Sequence, residues 1–297
     1  MGVVFTRMEA FSEFSANGSL PERSRQVLNL ATMVLNPLIS SGLPDNLSHL
    51  IVATTCPDSL APSLGQTIVE QFSRQFSHCH TIDIVQGCAG GVSALILGSQ
   101  LAELNRSSVV VVSADAARKS TSPASSINRI FGNGSFTCLI SYTDAGSGLV
   151  FSRSRQFRGL SEVVNVRLGH DADLVIRKEH KTIADDPRKH LGLKMDNMLA
   201  IRLLRKAEQF YRDFVSVSGK PDIMILHQVN PVILKLLTAI FRKYDLEFIN
   251  ISEQTGNCGV ASVGLALNSI KNSLAGKKVF LCSFGTGGVI TGGMWNT

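Results

Sequence analysis

Short apolar runs recur along the chain, and each is followed by a segment whose apolar residues return every three or four positions; this alternation predicts an α/β layered fold. The runs form two series. LSHLIVATT, TIDIV (81–85), SSVVVVSAD (107–115) and FTCLISYT (136–143) make the first, and PDIMILHQ (221–228), EFINIS (247–252), KKVFLCSF (277–284) and GVITGGMW (288–295) make the second. Each series contains a small-residue elbow that runs into an apolar helix: QGCAGGVSALILGSQL in the first, TGNCGVASVGLALNSI in the second. Cys88 precedes Val109 by 21 residues and Asn257 precedes Val279 by 22, so order and spacing agree. An internal duplication is the economical reading, with halves 1–145 and 146–297 each supplying a sheet and a helix that is apolar on all sides. Helices of that kind are sandwiched, which predicts five layers. Between the series, residues 144–195 are more polar, with GSG at 146–148 and HKTIADDPRKH at 180–190, and read as a surface excursion or lid. Residues 199–214 recover a helical period through Leu199, Leu203, Leu204, Ala207, Phe210, Tyr211 and Phe214, with Arg202, Arg205 and Lys206 on or near the other face.

Composition narrows the class. With 297 residues, 44% hydrophobic and 18% charged, the chain can bury a large core, which excludes a disordered chain or a disulfide-stapled miniprotein. No apolar run is read as long enough to span a membrane, and Met1 to Phe14 lacks a cationic leader, so a cytoplasmic protein with no membrane partner is expected. Met1, Gly2 and Thr6 fit the loose myristoylation pattern, as do very many chain starts. Six scattered cysteines without a CxxC pair argue for reduced thiols. The net charge of +6 permits an acidic partner. Aromatics are only 6% and do not interleave with the basic residues, which argues against nucleic acid. His78, Cys79 and His80 are adjacent, and neighbours on a strand point to opposite faces, so no metal is expected there; no cofactor is expected either.

The chemistry centres on three residues. Cys88 lies where a strand turns through Gly87 into a helix, a place where backbone amides and the helix dipole favour a thiolate. His227 ends a strand in HQVN, and Asn257 occupies the elbow of the repeat. A two-fold relation between the halves would make Cys88 and Asn257 neighbours across 169 residues of sequence. Taken singly, a buried cysteine packs as a small hydrophobe and a histidine after a strand commonly bonds a carbonyl. Taken together they sit at matched strand ends, beside a glycine-rich SFGTGG that lets backbone approach a substrate closely.

These segments carry a family resemblance. ATTCPDSLAPS (53–63), DIVQGCAGG (83–91), FGNGS (131–135), LKMDN (193–197), HQVN (227–230), GNCGVAS (256–262) and SFGTGG (283–288) resemble, in order, the β-ketoacyl-acyl-carrier-protein synthase III group of the thiolase-like condensing enzymes. The resemblance covers about residue 20 to the end and implies the duplicated five-layer α/β/α/β/α fold, usually as a homodimer. It implies that Cys88 is acylated by a thioester donor, acyl-CoA or acyl carrier protein, while His227 and Asn257 hold the carbonyl oxygen of a malonyl or β-ketoacyl thioester. Those types suit the chemistry, because a thiolate is the nucleophile for thioester exchange and two neutral donors stabilise an enolate oxygen. The oxyanion loop would be Thr286 and Gly287, Phe284 would wall the malonyl side, and Ala61 would reach a partner subunit's acyl tunnel. Arg242 and Lys243 fall where relatives dock an acidic acyl carrier protein, with Val232 where an Arg often sits.

The chain departs from the family at several places. The region before Cys88 is about 25 residues shorter than usual, and the Trp and Arg segment that grips coenzyme A is not recognisable, which favours a carrier-bound primer. Asn133 replaces an Asp, Cys258 a Thr, and Thr286 a Gly whose backbone freedom a β-branched residue resists. Two other readings keep the fold: transfer of the acyl group to an amine or hydroxyl, against which Asn257 speaks, and one subunit of a heterodimeric condensing enzyme. A cysteine hydrolase shares the Cys, His, Asn order, but the duplication and the buried helix after Cys88 do not suit a protease cleft.

Overall fold

The computed structural model describes residues 2–16, 20, 26–120, 126–160, 164–168, 191–195 and 199–297. The first half forms β1 (Gly2–Glu13), α1 (Val27–Ser40), β2 (Leu47–Ala53), α2 (Leu64–Gln71), the single turn α3 (Ser73–Phe76), β3 (His80–Ile84), α4 (Gly90–Asn105), β4 (Ser108–Ala116) and β5 (Asn133–Thr143). The second continues with β6 (Gly148–Gln156), β7 (Val164–Leu168), β8 (Leu191–Met195), α5 (Leu199–Ser218), β9 (Ile223–Leu226), α6 (Pro231–Phe241), β10 (Glu247–Ile249), the single turn α7 (Ser252–Thr255), α8 (Ser262–Ser269), β11 (Lys278–Gly285) and β12 (Val289–Asn296).

Two five-stranded sheets repeat one connectivity. The first runs β1-β5-β4-β2-β3, and the second, read from the matching edge, runs β6-β12-β11-β9-β10. Directions agree as well. β2 is parallel to β3 and β4, as β9 is to β10 and β11, while β4-β5-β1 and β11-β12-β6 are antiparallel. The duplication expected from the sequence is therefore present in strand order and sense.

Every position of β4 is buried, as expected of a central strand covered on both faces. Its inner face meets α4, which packs against β2, β4 and β5 of one sheet and β6, β11 and β12 of the other. α8 lies beside it, touching β1, β5, β9 and β11. Small residues permit this: a Cβ at Gly98 would stand 2.7 Å from Val111. Val92, Leu95, Val111, Val263, Leu281 and Trp295 share the central core, and each such large side chain contributes roughly 1.5–3 kcal/mol of burial. The outer face of the first sheet is covered by α1, through Val27, Leu30 and Leu35. That of the second is covered by α5 and α6, through Phe210, Phe214 and Leu234. The order is α/β/α/β/α.

Three sequence readings need correction. The polar stretch from 144 is not simply an excursion, since Gly148–Gln156 is β6, the edge strand paired to β12. An edge strand has a wet side and reads as polar. β7 and β8 then pair as a separate antiparallel ribbon. HKTIADDPRKH, together with Asp196 and Asn197 of LKMDN, lies outside the described residues. The expected helix at 199–214 extends to Ser218, with Ala207, Phe210, Tyr211 and Phe214 buried; the side chains of Leu199, Arg202 and Leu203 lie outside the described residues. Finally, Gly87–Asn105 is long enough and, at a mean hydropathy of 1.2, apolar enough to resemble a membrane span. Its position between the sheets accounts for that composition.

Candidate active site

The two elbows and the β11–β12 turn interlock at one end of both sheets. Gly87, with φ +53°, turns the chain from β3 toward α4; a Cβ there would stand 2.2 Å from Thr286 Oγ1 and 2.7 Å from Thr286 N, so only glycine admits the contact. Ser283 Oγ donates to the Cys88 carbonyl at 2.8 Å, fixing the elbow to β11. On the other side, a Cβ at Gly91 would stand 2.1 Å from the Val260 carbonyl oxygen, which puts the start of α4 against the loop that follows Asn257.

Cys88 is half-buried, and burial, with the negative charge of Asp115 adding to it, pushes the thiol up to about 12. The hydrogen bond from its own backbone opposes this only in part. Here the structure differs from the sequence expectation of a favoured thiolate: the helix N-terminus is present, but burial, with the Asp115 carboxylate on β4 adding to it, outweighs it.

His227 follows β9, and its N–H donates to the Cys282 carbonyl at 2.8 Å, which ties it to β11. It is 2% exposed, its Nδ1 is buried without a hydrogen-bond partner among the described residues, and burial lowers the imidazole to about 4, so the ring is neutral at ordinary pH. The rest of HQVN is structural. Gln228 donates to Leu226 O at 2.7 Å and accepts from Ile251 N at 2.8 Å, while Asn230 caps α6 by accepting from Ile233 N at 2.9 Å.

Asn257 is held on three sides. Its N–H donates to Ile130 O at 2.8 Å, its carbonyl accepts from Gly132 N at 3.1 Å, and its Oδ1 accepts from Gly259 N at 3.0 Å. Nδ2 is left as the donor of the amide. The FGNG segment therefore serves Asn257 through its backbone, and Asn133 is occupied in accepting from Arg118 N at 3.2 Å.

The remaining candidates fall as follows. The positive φ values of the oxyanion loop belong to Gly287 (+79°) and Gly288 (+80°), and Thr286 lies outside the left-handed region. The backbone freedom expected at position 286 is thus needed one residue later, where glycine is present. Phe284 is buried with Phe157 and Leu160 in the outer core of the second sheet. Ala61 is exposed, just before the Ser63 cap of α2, whose hydroxyl donates to Asp83 of β3 at 2.7 Å. Arg242 and Lys243 are exposed in the turn after α6, but Lys243 is paired to Glu208 of α5 at 2.5 Å.

One buried group escaped the sequence reading. Asp115, fully buried at the end of β4, accepts from Thr54 Oγ1 (2.9 Å), Thr55 N (2.7 Å), Thr55 Oγ1 (2.8 Å), Val260 N (2.8 Å) and Cys56 Sγ (3.3 Å). Burial raises its carboxyl above the ordinary range, and these hydrogen bonds offset the rise only in part. All five partners donate to it, the pattern of an ionised carboxylate. Nothing in the run SSVVVVSAD marks the last residue apart from its charge at the end of an apolar strand.

The duplicated five-layer architecture is a thiolase-like fold, and it brings Cys88, His227 and Asn257 to one end of its sheets. Structure comparison agrees: a crystal structure of 3-oxoacyl-(acyl-carrier-protein) synthase III superposes with a TM-score of 0.83 at 17% identity, covering 100% of both chains. The synthase III of Pseudomonas aeruginosa PAO1 gives 0.77 at 16%, covering 100% of this chain and 98% of that one. A variant of Xanthomonas campestris OleA with bound lauric acid and lauroyl-CoA gives 0.77 at 14%, covering 100% and 99%. In sequence the chain is 28% identical over 282 residues to the β-ketoacyl-[acyl-carrier-protein] synthase III of Oleidesulfovibrio alaskensis, covering 86% of this chain and 80% of the relative. The Oenococcus oeni enzyme of the same name is 26% identical over 272 residues, covering 87% and 81%. No protein-family profile matches the chain. In sequence and in fold, the chain is similar to the β-ketoacyl-[acyl-carrier-protein] synthases III.

Proposed function

We propose that this protein is a condensing acyltransferase of the β-ketoacyl synthase III type, acting in fatty-acid or related biosynthesis. Cys88 exchanges its S–H for the acyl group of a donor thioester, and the donor leaves as a free thiol carrying the proton. A malonyl or β-ketoacyl thioester then enters, and Nδ2 of Asn257 and the imidazole of His227 donate to its thioester oxygen. For malonyl, the carboxylate departs as carbon dioxide and leaves its electron pair in the enolate. The enolate carbon attacks the acyl carbonyl, whose oxyanion the Cys88 amide and an amide of the 285–287 loop receive; the S–C bond to Cys88 then breaks, and the departing thiolate takes a proton from solvent to restore the thiol.

One observation carries this reading: the elbow holding Cys88, the strand end holding His227 and the loop holding Asn257 interlock through Ser283, Thr286, Cys282 and Val260, while among the described residues His227 Nδ1 has no partner and Asn257 spends its Oδ1 on Gly259 N, leaving Nδ2 to donate. A neutral imidazole suits the role because it donates without quenching the carbanion. Intact-protein mass spectrometry after incubation with a panel of acyl thioesters tests it. Wild type should gain the acyl mass and Cys88→Ser should not, the exchange being nearly isosteric; acylation that maps to Cys258 or Cys282 removes the assignment.

The same reading proposes thioesters of coenzyme A or acyl carrier protein as substrates, a cytoplasmic setting, and a homodimer or heterodimer built on the open edge of β3, where Val85 is 76% exposed. It divides the site between halves 1–145 and 146–297. Arg242 is proposed as the main docking cation for the carrier, because the Glu208 contact neutralises Lys243.

A further inference from the structure

The uncommitted donor of Asn257 depends on a carboxylate 142 residues earlier in the chain. Asp115 Oδ2 accepts from Val260 N at 2.8 Å, and the preceding residue, Gly259, uses its own N–H to hold Asn257 Oδ1 at 3.0 Å. Gly259 has φ +55°, and a Cβ there would stand 1.9 Å from Asp115 Oδ2, so this close approach of loop to carboxylate requires glycine. The other oxygen, Oδ1, is anchored by Thr54 Oγ1 and Thr55 N from the turn after β2. The carboxylate thus joins the ends of β2 and β4 to the loop that carries Asn257, and the amide orientation of Asn257 is the last link. If Oδ1 of Asn257 lost Gly259 N, the amide could turn over and present an acceptor to an enolate oxygen, which repels it.

We propose that Asp115 is a positioning residue for the condensation step: by holding the Gly259–Val260 peptide it keeps Oδ1 of Asn257 occupied and Nδ2 free to donate, and it is not needed for acyl transfer to Cys88. This rests on the functional reading above. It carries a second consequence, since the carboxylate adds to burial in holding the Cys88 thiol up, which keeps it protonated at rest and unreactive toward adventitious electrophiles. Asp115 is the charged group acting on Cys88; the other titratable side chains of these loops are Cys56, whose thiol donates to Asp115, His227, neutral through burial, and Cys258, a thiol raised by burial and by Asp115.

The experiment uses the full chain and measures three quantities in wild type and Asp115→Asn. These are self-acylation of Cys88 by mass spectrometry, condensation turnover, and the pH dependence of Cys88 carboxamidomethylation by iodoacetamide, mapped at the peptide level. Asp115→Asn should acylate within about threefold of wild type, lose about tenfold or more in condensation kcat, and alkylate Cys88 at lower pH than wild type. A purely structural loss would lower acylation and condensation together and leave the alkylation profile in place; either result overturns the proposal. In an Asn257→Ala background the Asp115→Asn loss should largely vanish, because one acts through the other; additive losses overturn it too. Should Asp115→Asn fold poorly, Thr55→Val removes a donor to the same Oδ2 that holds Val260, and it should lower the ratio of condensation to acylation in the same direction, an unchanged ratio counting against the proposal. Wild type that takes no acyl group at Cys88 ends the functional reading and this inference together, whereas wild-type condensation left intact in Asp115→Asn ends this inference alone.

Discussion

His227 stands at the end of β9 with its imidazole held down to about 4 by burial, and that shift is a statement about stability as well as catalysis. The unfolded chain binds a proton at this residue below about pH 6.5, and the folded chain does not until about pH 4. Folding stability therefore falls as pH drops through that window, by about 3 kcal/mol in total, and is unaffected by this residue above it. His227→Asn should show a smaller loss of Tm between pH 7 and pH 4.5 than wild type, measured by differential scanning calorimetry; parallel losses would mean that the imidazole is less buried than described. At the site itself, His227→Ala and Asn257→Ala should each retain self-acylation yet lose condensation by roughly 10²- to 10³-fold, the value of one oxyanion donor. Equal loss of both steps would argue against separate roles, and unchanged turnover in Asn257→Ala would favour transfer to an amine or hydroxyl.

Helix α4 is the element on which the site turns, because it touches both sheets and its first turn carries the elbow. Gly91→Ala would drive a Cβ to 2.1 Å from the Val260 carbonyl, a backbone atom that cannot rotate away. The expected cost is about 1–3 kcal/mol by overpacking, read as a lower denaturation midpoint, together with a larger loss of condensation than of acylation, since the displaced loop is the one bearing Asn257. Equal activity with lower stability would detach the loop from the chemistry. How far these elements were legible follows from what surrounds them. Runs covered on both faces, such as β4 and β11, are apolar throughout and read directly. β1 and β6 did not, because antiparallel edge strands alternate with solvent and resemble loops, and α1 (VLNLATMVLNPLIS) carries a proline at position 37 that masks its periodicity. Cys88, His227 and Asn257 were visible as residue types at repeated strand ends. Asp115 was not, because its partners come from segments 59 to 145 residues away and no local pattern encodes them.

For the whole molecule, the question is what meets the open edge of the first sheet. Ala61 lies exposed beside that edge, tied to it through Ser63 and Asp83. If a second subunit docks there, alanine leaves room for a medium or long acyl chain, and each buried methylene adds roughly 0.8 kcal/mol, about three- to fourfold per carbon until the space is filled. Wild type should then prefer octanoyl to acetyl thioester in a competition assay, and Ala61→Phe should reverse the preference; a wild-type preference for acetyl would end the claim. The layering has a further consequence for how the protein is made. α4 receives the cover of one face from β6, β11 and β12, and Trp295 of β12 donates to the buried Ser99 hydroxyl of α4 at 3.0 Å. A nascent chain that has cleared the ribosome only as far as Thr143 has completed its first sheet but holds an apolar helix with one bare face. That face stays sticky for the time needed to synthesise about 150 more residues, some 8 to 30 seconds at 5–20 residues per second. Synthesis of this fold therefore calls for a holding chaperone or for a first sheet that stays loose until the last strand emerges.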